Sequence, residues 1–197
     1  YVSASGSSGT LAAGDYLKDK LDTQIAVVEA TECPTLLYNG YGEHNIQGIG
    51  DKHVPLIHNV YNTDFVVGVS DKATNSLNMI FNTDEGFDFL TARKGFQKTF
   101  VDKLPEFGFS AIANIIASIK LAKYMNLGHN DAIITVATDG ADLYLSELDR
   151  AKNEFEGIYD EISCAEIYGQ YLKGVSTDNL VELTLKGKER IFNLGYY

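Results

Sequence analysis

The first thirty residues confine the chain to few folds. Tyr1-Val2-Ser3-Ala4 reads as a short strand and Gly6-Ser7-Ser8-Gly9-Thr10 as a glycine-rich turn. From Thr10 the pattern is helical, with Ala13, Leu17 and Leu21 four residues apart on one face and Asp15 and Asp19 on another. Gln24 to Glu29 (Gln-Ile-Ala-Val-Val-Glu) is a second β-prone run. A strand, a helix and a second strand in this order form a βαβ crossover, whose two strands lie parallel in one sheet. The chain opens without an initiator Met, which sets the expectation that residues precede it in the parent protein.

Beyond this unit, Thr31 to Asn62 is rich in Gly, Asn and His and has no steady periodicity, so it reads as a long irregular connection with a short helix around Val54 to His58. Connections of this length are uncommon unless they carry function. Asp64 to Val69 is the next strand, and Ser70 with Asp71 caps a helix over Lys72 to Phe81, followed by a further helix over Asp84 to Arg93. Ile112, Ile115, Ile116, Ile119 and Ala122 mark a helix buried on most of its surface. Ala132 to Ala137 (Ala-Ile-Ile-Thr-Val-Ala) has the continuous apolar character of a central parallel strand. The expected fold is α/β, a three-layer αβα domain with a mainly parallel sheet over residues 1–149, followed by a helical C-terminal extension over 150–197.

The 197 residues carry 45% hydrophobic side chains, enough for a buried core. With 16 Lys and Arg against 27 Asp and Glu the formal charge is −11, which repels phosphate backbones and anionic lipid and sets aside nucleic acid and membrane surfaces as partners. Cys33 and Cys164 are too few for a disulfide scaffold, and no apolar run approaches the length of a spanning helix, so a cytoplasmic location is expected.

The chemistry sits at glycines. A turn such as Gly6 to Thr10, between a strand and a helix, aims free N–H groups and the positive helix end at one point, which suits phosphate; Ser7, Ser8 and Thr10 add hydroxyls. The same turn is also an ordinary capped connection, and it has neither a P-loop lysine nor a G-x-G-x-x-G pattern. A second segment, Ile46-Gln47-Gly48-Ile49-Gly50, pairs two glycines in the long connection and signals close backbone approach, to a ligand or to another segment. His44, His53 and His58 with Cys33 fit no zinc spacing, and Lys52 reads as a solvated lysine. Neither a metal site nor a catalytic residue is assigned.

Taken together, Gly6 to Lys18, Ile25 to Glu29, Ile46 to Gly50 and Val54-Pro55 closely resemble the cysteine synthase branch of the fold type II pyridoxal-phosphate enzymes. That family carries a G-T-G-G-T loop, an I-Q-G-I-G segment and a late P-D turn in the same order. Gly108-Phe109-Ser110-Ala111-Ile112-Ala113-Asn114 is similar to its G-I-S-S-G-A-N segment, and Thr138-Asp139 to its P-D turn. The resemblance spans residues 1–146. It implies that Gly6, Ser7, Ser8, Gly9 and Thr10 hold the phosphate of pyridoxal 5′-phosphate and that Gly48, Ile49 and Gly50 border cofactor and substrate. It places Ser110 and Asp139 near the cofactor's ring nitrogen, where the family's second serine is replaced by Ala111 and its proline by Thr138.

The family's Schiff-base lysine and substrate-carboxylate loop both precede the phosphate loop, and neither motif occurs in these residues. The resemblance therefore implies the C-terminal part of a larger enzyme, completed by an N-terminal part of the same protein. Its implied reaction is β-elimination or β-replacement on a small amino-acid substrate, with a homodimer as the expected assembly. Two other readings stand beside it: a non-catalytic binding or assembly module that kept the fold, and a nucleotide-binding α/β protein with Glu29 as the only acid placed to meet a ribose. The aromatic residues of the tail, Phe155, Tyr159, Tyr168, Tyr171, Phe192, Tyr196 and Tyr197, suit packing rather than chemistry.

Overall fold

A computed structural model of the chain describes residues 1–50, 52–154 and 158–194. Glu154 has its backbone described but not its side chain, and Phe155, Glu156, Tyr196 and Tyr197 lie outside the described residues. Val2–Ala4 (β1), Ala26–Ala30 (β2) and Phe65–Val69 (β3) pair in parallel, and Leu180–Glu182 (β4) adds to β3 antiparallel, giving one sheet in the order β1-β2-β3-β4. Helix α1 (Gly9–Leu21) is the crossover between β1 and β2, as the opening residues require. The fold is α/β of the three-layer αβα type.

Internal contacts divide the chain into two units: Tyr1–Asp71, Ala113–Val136 and Ser176–Tyr197 in the first, Lys72–Ile112 and Ala137–Val175 in the second. The first unit contains the sheet. Every residue of β1, β2 and β3 is buried, so their side chains alternate between two covered faces. On one face Val27 and its registered partner Val66 join Leu11 of α1, Leu36 and Leu37 of the short α2 (Thr35–Tyr38), and Ile191 of α9 (Leu185–Leu194) in a single cluster. On the other face the ring of Phe65 meets Tyr124 edge-on at 6.0 Å. Tyr124 belongs to α6 (Phe109–Met125), whose Lys120 Nζ donates to the carbonyl of Gly68 in β3 at 2.7 Å. Burial depresses the Lys120 ammonium below its ordinary value, and Asp178 opposes that shift.

The second unit is helical: α3 (Asp71–Asn82, whose first residue belongs to the first unit), α4 (Asp84–Asp88) running on into a π-helical turn over Phe89–Arg93, α5 (Lys98–Val101), α7 (Leu145–Glu154) and α8 (Glu161–Tyr168). Leu77, Met79, Ile80, Phe89 and Cys164 are buried here. Asp160 caps α8 through a reciprocal box with Ser163, and Phe89 packs edge-on against Tyr168 at 5.8 Å. Cys33 and Cys164 are both free and buried.

Three expectations change. Ala132 to Ala137 is not a central strand: it meets β1 through one parallel bridge, Thr135 with Val2, and Ile134 is half exposed. An apolar run reports hydrophobicity and not the number of neighbours, and this one lies on the open edge of a three-residue strand. Residues beyond 150 are not helical throughout, because Leu180–Glu182 closes the other edge of the sheet beside β3. The helix expected around Val54 to His58 is displaced to a 3₁₀ turn over Val60–Asn62, and the connection contains α2 instead. No single helix among the described residues is long and apolar enough to cross a membrane.

The last part of the tail, through Leu183 and Ile191, is thus part of the first unit's core. Ile191 is 1% exposed and sits with Val27 and Val66 in one cluster. Replacing it by Ala should lower the free energy of unfolding by about 3 kcal/mol, measured by denaturant titration. A loss under 1 kcal/mol would show that α9 is only loosely attached.

Candidate functional site

In open α/β sheets ligands meet the chain at the carboxyl ends of the strands, and the candidate residues of the first unit lie there. The turn from β1 to α1 is Ser5 to Ser8, with Ser8 in the left-handed region at φ 64° and no side-chain cap on the helix. The hydroxyls turn partly inward: Ser8 is buried with its Oγ 3.3 Å from Ser5 Oγ, and Ser3 Oγ donates to Thr10 Oγ1 at 2.8 Å. Ser7 and Gly9 are exposed. The main-chain N–H groups from Gly6 to Leu11 have no hydrogen-bond partner among the described residues. Six donors at the positive end of a 13-residue helix make an anion cradle built of backbone.

The second glycine segment is brought against this turn. Gly50 N donates to Ser5 O at 2.7 Å, and a Cβ on Gly6 would fall 2.7 Å from Gly48 O. Gly6 is therefore glycine because another main chain occupies its side-chain space. Gly48 and Gly50 take φ of +80° and +82°, which L side chains rarely adopt, and the imidazole of His44 fills the space beside Gly50. Ile46 and Ile49 are buried and anchor the segment from below. Gly6, Ser7, Ser8, Gly9, Thr10, Gly48 and Ile49 thus form one neighbourhood.

Ser110 and Asp139 belong to the second unit. Gly108 N donates to Asp139 O at 2.8 Å, and a Cβ on Gly108 would meet the Asp139 carboxylate at 2.7 Å. Thr138 Oγ1 donates to Asp139 Oδ1 at 3.2 Å and lies 3.4 Å from Ser110 Oγ; the Tyr144 hydroxyl donates to Asp139 Oδ2. Burial first, then the Asp139 carboxylate, push Tyr144 up to about 12. Ala111 is 2% exposed and offers no hydroxyl.

Several supporting residues escaped the sequence reading. Ser5 joins the two glycine segments, and Asp71 accepts the N–H groups of Asn45 and Ile46, while Glu32 accepts that of Asp71. Ser70-Asp71 is visible in sequence as a helix start, but nothing local shows that its carboxylate reaches back to residue 45. Glu29, considered for a ribose, is 3% exposed, and its two oxygens accept Leu36 N at 2.9 Å and Leu37 N at 2.8 Å, which leaves no face for a sugar. A cavity of about 550 Å³, lined by Lys18, Gln24, Asp64 and Met125, lies at the amino ends of the strands, away from the glycine segments. No metal-binding cluster occurs among the described residues.

No protein-family model and no curated protein matches the sequence. Solved structures do. An O-acetylserine sulfhydrylase, isoform 3, of Entamoeba histolytica superposes with a TM-score of 0.60 at 20% identity over 87% of this chain and 45% of that one. A hydrogen sulfide-producing enzyme of Fusobacterium nucleatum gives 0.56 at 22% identity, over 92% of this chain and 47% of that one. An O-acetylserine-dependent cystathionine β-synthase of Helicobacter pylori gives 0.54 at 25% identity, over 74% and 42%. The fold is that of the cysteine synthase-like enzymes, and the chain spans less than half the length of the structures it matches.

Burial pushes Glu29 up from 4.5 to about 7, against the pull of the Leu36 and Leu37 amides and Arg190. The unfolded carboxyl ionises near 4.5 and the folded one near 7, so the folded state binds the extra proton between these values and stability falls as pH rises through that window. Glu29→Gln should flatten the unfolding free energy between those pH values. A mutant whose pH dependence matches that of the wild type would place the ionisation elsewhere.

Proposed function

We propose that this chain is the C-terminal, phosphate-holding part of a pyridoxal 5′-phosphate enzyme of the cysteine synthase type, acting on an amino acid by β-elimination or β-replacement. The observation that carries the reading is the cradle of unpartnered N–H groups from Gly6 to Leu11 with the Gly48 carbonyl packed against Gly6. The cradle fits a phosphate monoester: it has many donors, no carboxylate of its own, and an exposed Ser7 beside it. When bound, pyridoxal phosphate supplies the electron sink for chemistry at the amino acid's α-carbon.

The chain's own residues bind and orient. The turn fixes the phosphate, the buried Ile46 and Ile49 hold the Gly48 to Gly50 backbone as one wall beside it, and Gly48, called for by its positive φ, leaves that wall without a side chain there. The assignment of Ser110 and Asp139 to the ring nitrogen rests on the resemblance, with Thr138 as the added hydroxyl. The Schiff-base lysine is assigned to an N-terminal part of the same protein, and the whole is proposed as a cytoplasmic homodimer. One observation favours the second reading, a binding or assembly module without catalysis: Ala111 stands, buried, where the family has its hydroxyl.

Inorganic phosphate should bind this chain at the β1–α1 turn, seen in an amide NMR titration as shifts centred on Gly6 to Leu11. Gly6→Ala, which forces Gly48 away, should weaken that binding about tenfold or more, equivalent to ~1.4 kcal/mol. Phosphate shifts that miss the turn, or a variant that binds as well as the wild type, would remove the basis of the assignment.

A further inference from the structure

The segment 45–50 crosses the carboxyl ends of three strands and is tied at its two ends. At one end Gly50 N bonds Ser5 O, just beyond β1. At the other, the carboxylate of Asp71, just beyond β3, accepts the N–H groups of both Asn45 and Ile46, the latter at 3.2 Å. Between them lies β2, from whose end Glu32 Oε2 accepts Asp71 N at 3.1 Å and Thr31 Oγ1 at the same distance. Adjacent strands stand about 4.8 Å apart, so the segment bridges roughly 10 Å with a glycine of positive φ, Gly48, within it and another, Gly50, at its tied end. Such a span has little stiffness of its own, and its position depends on its anchors.

We propose that Asp71 is the positioning residue of the Gly48–Gly50 wall, holding Asn45 and Ile46 so that Gly48 O lies against Gly6 and Gly50 N reaches Ser5. The carboxylate suits the task because it accepts two N–H groups at once, which an amide oxygen or a hydroxyl does less well. The Glu32 contact fixes the Asp71 main chain, so the anchor is referred back to the register of β2 and β3. The consequence for phosphate rests on the reading of the β1–α1 turn given above; the consequence for backbone order does not.

The test is native-state amide exchange and inorganic phosphate titration on the chain and on Asp71→Asn. The variant should lose protection at Asn45, Ile46 and Gly50 by at least tenfold, keep wild-type protection across Phe65 to Val69, and bind phosphate at least fivefold more weakly. Gly50 protected as in the wild type while Asn45 and Ile46 are released would overturn the proposal, because the far end of the segment would then hold itself. Equal loss of protection across Phe65 to Val69 would also overturn it, as a general loss of stability. Should Asp71→Asn not fold, Asp71→Ser, which keeps a helix-starting hydroxyl and a single acceptor, faces the same criteria. If the wild type binds no phosphate, the functional reading falls, and the exchange pattern alone decides the role of Asp71.

Discussion

Strands β1, β2 and β3 run parallel and are buried on both faces, so their side chains are committed to packing and their facing main-chain groups to pairing, and the turns at their ends are left to meet a ligand. The side-chain faces are used up by Val27, Val66 and their cluster on one side and by Phe65 against Tyr124 on the other. What remains for function is the row of turns at the carboxyl ends: Ser5 to Ser8, Thr31-Glu32, and Ser70-Asp71. The three turns stand in the order fixed by the pairing Val2 with Ala26 and Ala26 with Phe65. A slip of one residue would turn Val27 and Val66 to opposite faces and move Glu32 away from Asp71 together.

This constraint explains which parts of the molecule were readable from sequence. The βαβ unit was legible because its signals are local: a strand, glycines, a helical period, and a second β-prone run. The contact of Gly6 with Gly48 was not, since two glycines forty-two residues apart carry no mark that they share a space. Only the order of several motifs hinted that the turn and the Ile46 to Gly50 segment belong together. Ala132 to Ala137 misled for the opposite reason. Its apolar run looks like any central strand, yet whether neighbours flank it is decided by the pairing of β1 with β2, which no window of sequence contains. Leu180–Glu182 was missed because three residues, mostly exposed on an edge, show neither alternation nor a continuous apolar run.

The buried ionisable groups follow from the same geometry. Glu29 lies in the sheet and Lys120 against it, and each is satisfied by main chain: Glu29 by the amides at the start of α2, Lys120 by the Gly68 carbonyl in the very strand that carries Asp71 beyond its end. Burial moves both toward neutrality, Glu29 upward and Lys120 downward. Neither faces the glycine turn with a free polar atom, so their perturbed ionisation marks support of the sheet and of α2, and perturbation alone would have pointed to the wrong residues.

An acidic chain with an anion cradle poses an electrostatic question, since a formal charge of −11 repels phosphate at long range. The answer lies in distance. Exposed charges are screened over about 8 Å at physiological ionic strength, whereas N–H donors act at contact, where the partial charge of the α1 end adds to them. No lysine or arginine stands within Gly6 to Thr10, so nothing in the turn enlarges its reach toward polyanions. On the proposed reading a cradle made of main chain would take a small, terminal phosphate that enters the turn, while the net charge disfavours extended phosphate polymers at the surrounding surface. On that reading backbone recognition and acidic composition act together, one supplying affinity for a single phosphate group and the other narrowing what can bring that group in.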